Sequence, residues 1–262
     1  MIRILYIGDV VGQPGRRALH QKLEHVVDRE RIDFTIVNIE NAAGGFGVTE
    51  SIMEELSELP IQAYTSGNHI WDKKEFVDNY EHYPHVIRPA NYPAGNPGTG
   101  RVVRQTAAGV NVAVLQFMGN VFMPPCDNPF HAADRELREL GDGAKVIIVD
   151  IHGEASSEKQ AMGRYLDGRV SAVVGTHTHV PTADERLLPL GTAYQTDVGM
   201  TGAYDSVIGF RPDEALHRFL MNTPKKLEVA KRDIRLTGAM IEVDETTGRA
   251  SSIARVQEKV ED

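Results

Sequence analysis

The chain has 262 residues, 41% of them hydrophobic and 25% charged, with a formal net charge of −9. That is the profile of a soluble globular protein able to bury a sizeable core, and its acidic balance weighs against a footprint on duplex nucleic acid. No apolar run approaches the roughly 18–20 residues of a membrane span, and MIRILYIGDVVG turns acidic too soon for a secretory signal, so a cytoplasmic protein without a membrane partner is expected. The single cysteine, Cys126, excludes an internal disulfide. Any metal must therefore be held by imidazole, carboxylate or amide oxygen.

In chain order, IRILYIGD (2–9) reads as a buried strand and PGRRALHQKLEHVVDRE (14–30) as a helix, with Leu19, Leu23, Val26 and Val27 on one face and Pro14 at its start. FTIVNIEN (34–41) is a second strand, TESIMEELSEL (49–59) a helix and QAYTSGNH (62–69) a third strand. WDKKEFVDNY (71–80) is a helix that Asp72 and Glu75 would cap. RVVRQTAAGVNVAVLQFMG (101–119) predicts a hairpin turning near Gly109. KVIIVDIHG (145–153) is a strand, SSEKQAMGRYLDG (156–168) a helix and SAVVGTH (171–177) a strand. From about 184 the pattern alternates as antiparallel strands do, interrupted by a helix near 212–221. The β-α-β-α-β-α opening implies a mainly parallel sheet covered by helices, an α/β fold. No repeat, low-complexity tract or linker divides the chain, so 1–262 is expected to be one domain.

Each of five strands ends in polar residues of metal-ligand type: Asp9; Glu40 and Asn41; Asn68 and His69; His152; His177 and His179. In open α/β sheets ligands bind at the carboxyl ends of strands. Taken singly, each of these groups reads as readily as a turn cap or a loop polar residue. Their recurrence at equivalent places points to a shared metal site. In an extended segment His177 and His179 would point to the same side. Asp150, just before IHG, is as suited to orienting a ligand as to a structural role. His20, His25, His82, His85, His131 and His217 have no such context and read as ordinary surface or packing residues. The glycines of GDVVGQPG do not have dinucleotide-binding spacing.

The ordered set GDVVG, NIEN, SGNH, DIHGE and GTHTH, with RPANYP and DVGMTGAYDSVIG, resembles the calcineurin-like metallophosphoesterases, and more closely their YmdB branch of bacterial cyclic-nucleotide phosphodiesterases. The wider superfamily opens on Asp-x-His. Here Asp9 is followed by Val10 and Val11, and Glu40 stands for the usual second aspartate, changes that the branch shares. The resemblance implies an αββα sandwich of two mixed β-sheets flanked by helices. It also implies two metal ions, iron or manganese, with zinc compatible too. Asp9, Glu40, Asn41 and His179 would hold the first, and Glu40, Asn68, His152 and His177 the second, with Glu40 bridging. His69, outside both sets, would be the general acid, and a metal-bridging hydroxide the nucleophile. The substrate would be a small cyclic nucleotide, 2′,3′- or 3′,5′-linked. The rival expectations are a phosphomonoesterase or nucleotidase of the same fold, and a non-catalytic metal-binding regulator. The sequence is compatible with a homo-oligomer.

Overall fold

The computed structural model describes residues 1–261. Its first sheet contains β1 (Ile2–Ile7), β2 (Asp9–Val10), β3 (Phe34–Asn38), β4 (Ala63–Thr65), β11 (Met200–Ala203), β12 (Ile234–Val243) and β13 (Ala250–Lys259), in the order β2-β11-β12-β1-β3-β4 with β13 also paired to β12. The second contains β5 (Arg101–Gln105), β6 (Asn111–Met118), β7 (Val146–His152), β8 (Ala172–Thr176), β9 (Arg186–Leu187) and β10 (Ala193–Gln195), in the order β5-β6-β7-β8-β10-β9. Both sheets are mixed. β1, β3 and β4 run parallel, as do β6, β7, β8 and β10, while the β5–β6 hairpin and β12–β13 are antiparallel.

The period of two along the strands builds the layers. In β1, Ile2, Ile4 and Tyr6 face Val112, Val114, Val146 and Ile148 of the second sheet across a shared core. Leu5 and Ile7 face the other way, onto Leu19, Leu23 and Val26 of α1 (Gly12–Glu30) and onto Ile52, Met53 and Leu56 of α2 (Glu50–Ser57). The outer face of the second sheet, with Leu115, Val149 and Val173, packs on Ala132 and Ala133 of α4 (Pro129–Leu140) and on Met162 and Leu166 of α5 (Ser156–Leu166). Strands covered on both faces read as continuous apolar runs, which is why the sequence shows IRILYI and VIIV rather than strict alternation. The result is a helix–sheet–sheet–helix sandwich, completed by α3 (Lys74–Asp78) and α6 (Pro212–Met221). No helix among the described residues is long and apolar enough to cross a membrane.

Three expectations need correction. The first strand stops at Ile7, and Asp9–Val10 leaves it to pair with β11. Gly8 makes that exit, because a Cβ there would lie 1.8 Å from the Gly199 carbonyl oxygen. The helix expected over 71–80 is only α3 followed by a 3₁₀ turn at Tyr80–His82, and Asp72 does not cap it: Lys73 occupies the cap without a side-chain bond. α4 has no counterpart among the elements expected from the sequence, although Asn128 accepts from the Phe130 and His131 N–H groups and Pro129 opens the first turn.

Candidate metal centre

The parallel strands of both sheets deliver their carboxyl ends to one place. β1 leads to Asp9, β3 to Glu40 and Asn41, and β4 to Asn68 and His69, while β7 ends at His152 and β8 runs into His177. The strand ends are tied across the sandwich by buried polar side chains. Tyr6 donates to Asp150 Oδ2 at 2.5 Å, and the Ser66 N–H donates to Gln116 Oε1 at 3.0 Å. Ligand-type atoms of Glu40, His152 and His177 lie within 4.8 Å of one another, and so do those of Asp9, Glu40 and His179. Glu40 is common to both groups. His69 belongs to neither.

The hydrogen bonds fix which ring nitrogens face inward. Thr176 donates its hydroxyl to Asp150 Oδ1 at 2.7 Å, so at 2.8 Å it must accept from His152 Nδ1–H. Asp150 is thus a positioning group as well as a structural one. Nε2 of His152 is left facing Glu40 Oε1 at 3.2 Å, Asn68 Oδ1 at 3.1 Å and His177 Nδ1 at 3.1 Å. His177 places its other nitrogen, Nε2, 3.1 Å from Glu154 Oε2. His179 donates Nδ1–H to the Ile208 carbonyl at 2.9 Å, which leaves Nε2 facing Asn41 Oδ1 at 3.3 Å. That amide has already turned its Nδ2 to the Gly45 carbonyl at 2.8 Å.

Acceptors therefore confront acceptors. No hydrogen lies between Asn41 Oδ1 and a neutral His179. One proton on His152 Nε2 cannot serve three acceptors at once. Asp9 Oδ1 is buried without a hydrogen-bond partner. Unpaired buried acceptors are costly, and a cation is the group that satisfies all of them together. The donor set of imidazole, carboxylate and amide oxygen, with no sulfur, fits a first-row transition metal such as iron, manganese or zinc. Space is kept for it by Gly67, where a Cβ would lie 2.1 Å from Glu40 Oε2 and 2.4 Å from His152 Nε2.

The charges tell the same story. Burial alone would raise Glu40, but His152, through its charge and hydrogen bond, and then His69 and His177 hold the carboxyl below its usual range. Burial works against a charged His152, yet Glu40, Asp9 and Asp150 push its pKa up. Burial, then repulsion from Glu40 and Asp197, raises Asp9 against the opposing pull of His152. Burial depresses His177 and His179, so both rings stay neutral and able to ligate.

Two expectations about the histidines change. His177 and His179 do not share a face of an extended strand. β8 stops at Thr176, and both residues adopt positive φ, 97° and 64°. That bend, rather than strand alternation, turns one ring inward by Nδ1 and the other by Nε2. Asp72, expected as a helix cap, is instead a partner of His69, with Oδ2 2.9 Å from Nδ1.

Sequence reasoning also passed over Glu154, Thr176, Lys159 and Asp197. Lys159 is buried and donates to Asp197 Oδ2 at 2.7 Å and to the Thr176 carbonyl at 2.6 Å, just beneath His177. Its signal was available: a lysine on the apolar stripe that Met162 and Leu166 continue along α5.

The centre opens into a cleft of about 380 Å³. Its lining mixes the polar Glu40, Asn41, His69, Glu154, His177, Thr178, His179 and Arg218 with the apolar Phe46, Ile208, Phe210 and Leu227, and Phe46 meets the His69 ring edge-on with centroids 4.9 Å apart.

Comparison with known proteins follows the same outline. Residues 5–256 match the family described as YmdB-like protein. The chain is 47% identical over 255 residues to the 2′,3′-cyclic-nucleotide 2′-phosphodiesterase of Bacillus subtilis strain 168, covering 97% of this chain and 96% of that one. A Thermus thermophilus protein of known crystal structure is 43% identical, with a TM-score of 0.92 and coverage of 98% and 99%. A phosphatase from Mycoplasma pneumoniae is 32% identical, with a TM-score of 0.93 and coverage of 98% and 93%.

Proposed function

The chain belongs to the YmdB-like family, and from that premise we propose that it is a two-metal phosphodiesterase that opens 2′,3′-cyclic nucleotides. The observation that carries this reading is the crowding of acceptors, Asn41 Oδ1 against a neutral His179 Nε2, and Glu40 Oε1, Asn68 Oδ1 and His177 Nδ1 around the single Nε2 of His152, beside a buried and unpartnered Asp9 Oδ1. The activity of the Bacillus subtilis relative supports the choice of substrate.

Asp9, Glu40, Asn41 and His179 would hold one metal, and Glu40, Asn68, His152 and His177 the other, with iron or manganese suited to these donors. Bound there, the metals supply Lewis-acid polarisation of a phosphoryl oxygen and a lowered pKa for water. The chain's own residues do the rest. Glu154 and the Ile208 carbonyl fix the two histidine tautomers. Asp72 engages His69 Nδ1, which leaves Nε2 as the nitrogen free to hand over a proton. As the oxygen of a water bonds to phosphorus and gives up a proton to solvent, from which His69 is later reprotonated, the ester bond to ribose O2′ breaks. His69 Nε2–H protonates that departing oxygen, and a nucleoside 3′-phosphate remains.

The test is elemental analysis of metal-loaded protein together with turnover on 2′,3′-cyclic nucleotides, 3′,5′-cyclic nucleotides and phosphomonoesters. Two metals per chain and preference for the 2′,3′-cyclic substrates are expected. Full activity with one metal per chain, or faster turnover of phosphomonoesters, would overturn the reading.

A further inference from the structure

Ile208 sits in a conformation that its side chain resists. Val207 and Phe210 exchange both backbone hydrogen bonds, at 2.9 and 3.0 Å, so Ile208 and Gly209 form a two-residue turn. Both have positive φ, 47° and 97°. Turns of this kind favour Asn-Gly or Gly-Gly, because both central residues must enter the left-handed region. Gly209 meets the requirement, and a Cβ there would lie 2.8 Å from Val11 Cγ1. Ile208 does not meet it: a β-branched residue at positive φ is a genuine outlier.

No burial in the core accounts for the isoleucine, which is 48% exposed. The service this position renders to the metal centre, the carbonyl that accepts His179 Nδ1–H, is a backbone service that asparagine or glycine would render equally well. What only the side chain adds is apolar surface in the cleft. There it joins Phe46 and Phe210, whose rings stack with centroids 5.5 Å apart and planes 22° apart, and Leu227. Strain retained at a functional site calls for a functional account.

We propose that Ile208, with Phe46, Phe210 and Leu227, forms the subsite that receives the nucleobase of the cyclic nucleotide. This rests on the phosphodiesterase reading above. In such a substrate the phosphate and ribose oxygens are polar and belong with the metal centre and His69. The base is the one part that presents flat apolar faces, and among the cleft's lining residues Ile208, Phe46, Leu227 and the nearly buried Phe210 are the apolar ones that match it.

The decisive variant is Ile208→Asn, which suits the turn and keeps the carbonyl. Its Tm should equal the parent's or exceed it by about 2–4 °C as the strain is relieved. The quantity to read is the ratio of kcat/KM on 2′,3′-cyclic AMP to kcat/KM on a base-free analogue, 1-O-methylribofuranose 2′,3′-cyclic phosphate. A fall in that ratio of about tenfold is expected from loss of aliphatic contact, carried by KM for the nucleotide. Ile208→Gly, which relaxes the turn without adding polarity, should show the same fall. A ratio unchanged in both variants would overturn the subsite while leaving the phosphodiesterase standing. So would an unsubstituted enzyme that hydrolyses the base-free analogue as efficiently as the nucleotide. An enzyme inactive on both substrates would overturn the parent reading and this one with it.

Discussion

His69 presents Nδ1 to Asp72 Oδ2 at 2.9 Å and its main-chain N–H to Glu40 Oε2 at 3.3 Å, so it is tied to the centre while its ring stands outside both ligand groups. A general acid matters in proportion to how badly the leaving group needs a proton. A ribose alkoxide needs one, and a nitrophenolate does not. His69→Ala is therefore expected to keep the metal content of the parent and, if the chain is the proposed phosphodiesterase, to lose about 10²–10⁴-fold on 2′,3′-cyclic nucleotides, with a far smaller loss on bis(p-nitrophenyl) phosphate. Equal losses on the two substrates at full metal occupancy would remove the acid role, and loss of metal would make His69 a ligand. At this scale the sequence was legible where chemistry recurs at strand ends. Asp9, Glu40, Asn41, Asn68, His152, His177 and His179 all converge. It was illegible where a short local choice decided the outcome. Asp72 could cap a helix or hold His69, and only the three-dimensional path of GNHIWD shows that the helix begins too late for the cap.

The segment after β8 shows what an element can demand of distant residues. His177 and His179 both take up left-handed φ, a conformation that non-glycine residues enter at a cost of about 1–2 kcal/mol each. The bend is held from beneath by a buried ion pair. Lys159 Nζ reaches Asp197 Oδ2 and the Thr176 carbonyl, and the same carboxylate oxygen accepts from the Thr178 N–H at 3.1 Å and the Thr178 hydroxyl at 2.8 Å. Removing one partner of such a pair strands the other charge in the interior. Lys159→Met should thus cost about 3–5 kcal/mol in denaturant unfolding, and adding Asp197→Asn should return part of that loss. A cost below about 1 kcal/mol would mean that the bend stands without the lysine. The strand preceding this bend was easy to read from its apolar run. The bend itself was not, because no periodicity signals positive φ in a histidine, and the supporting lysine lies 17 residues upstream on α5.

At the scale of the molecule, neither sheet owns the centre. Asp9, Glu40, Asn41 and Asn68 follow strands of the first sheet, whereas His152, His177 and His179 come from the second. The layered architecture was legible because strands buried on both faces leave continuous apolar runs. The apolar runs alone do not partition those strands into two sheets, since parallel strands of either sheet carry the same pattern; the two mixed sheets were legible only through the motifs at the strand ends and the family resemblance they carry, and both sheets are present. A cation held between the sheets binds the folded chain and not the unfolded one, so it should stabilise both halves together. At free metal about 100 times Kd the gain should be about 2.7 kcal/mol for each metal bound, or about 5–10 °C in Tm for each. Hydrogen exchange should then show β3 of the first sheet and β7 of the second losing protection by equal amounts on chelation, as expected if the chain unfolds as one domain. Protection lost in one sheet alone would show that the halves unfold separately and that the metals do not join them.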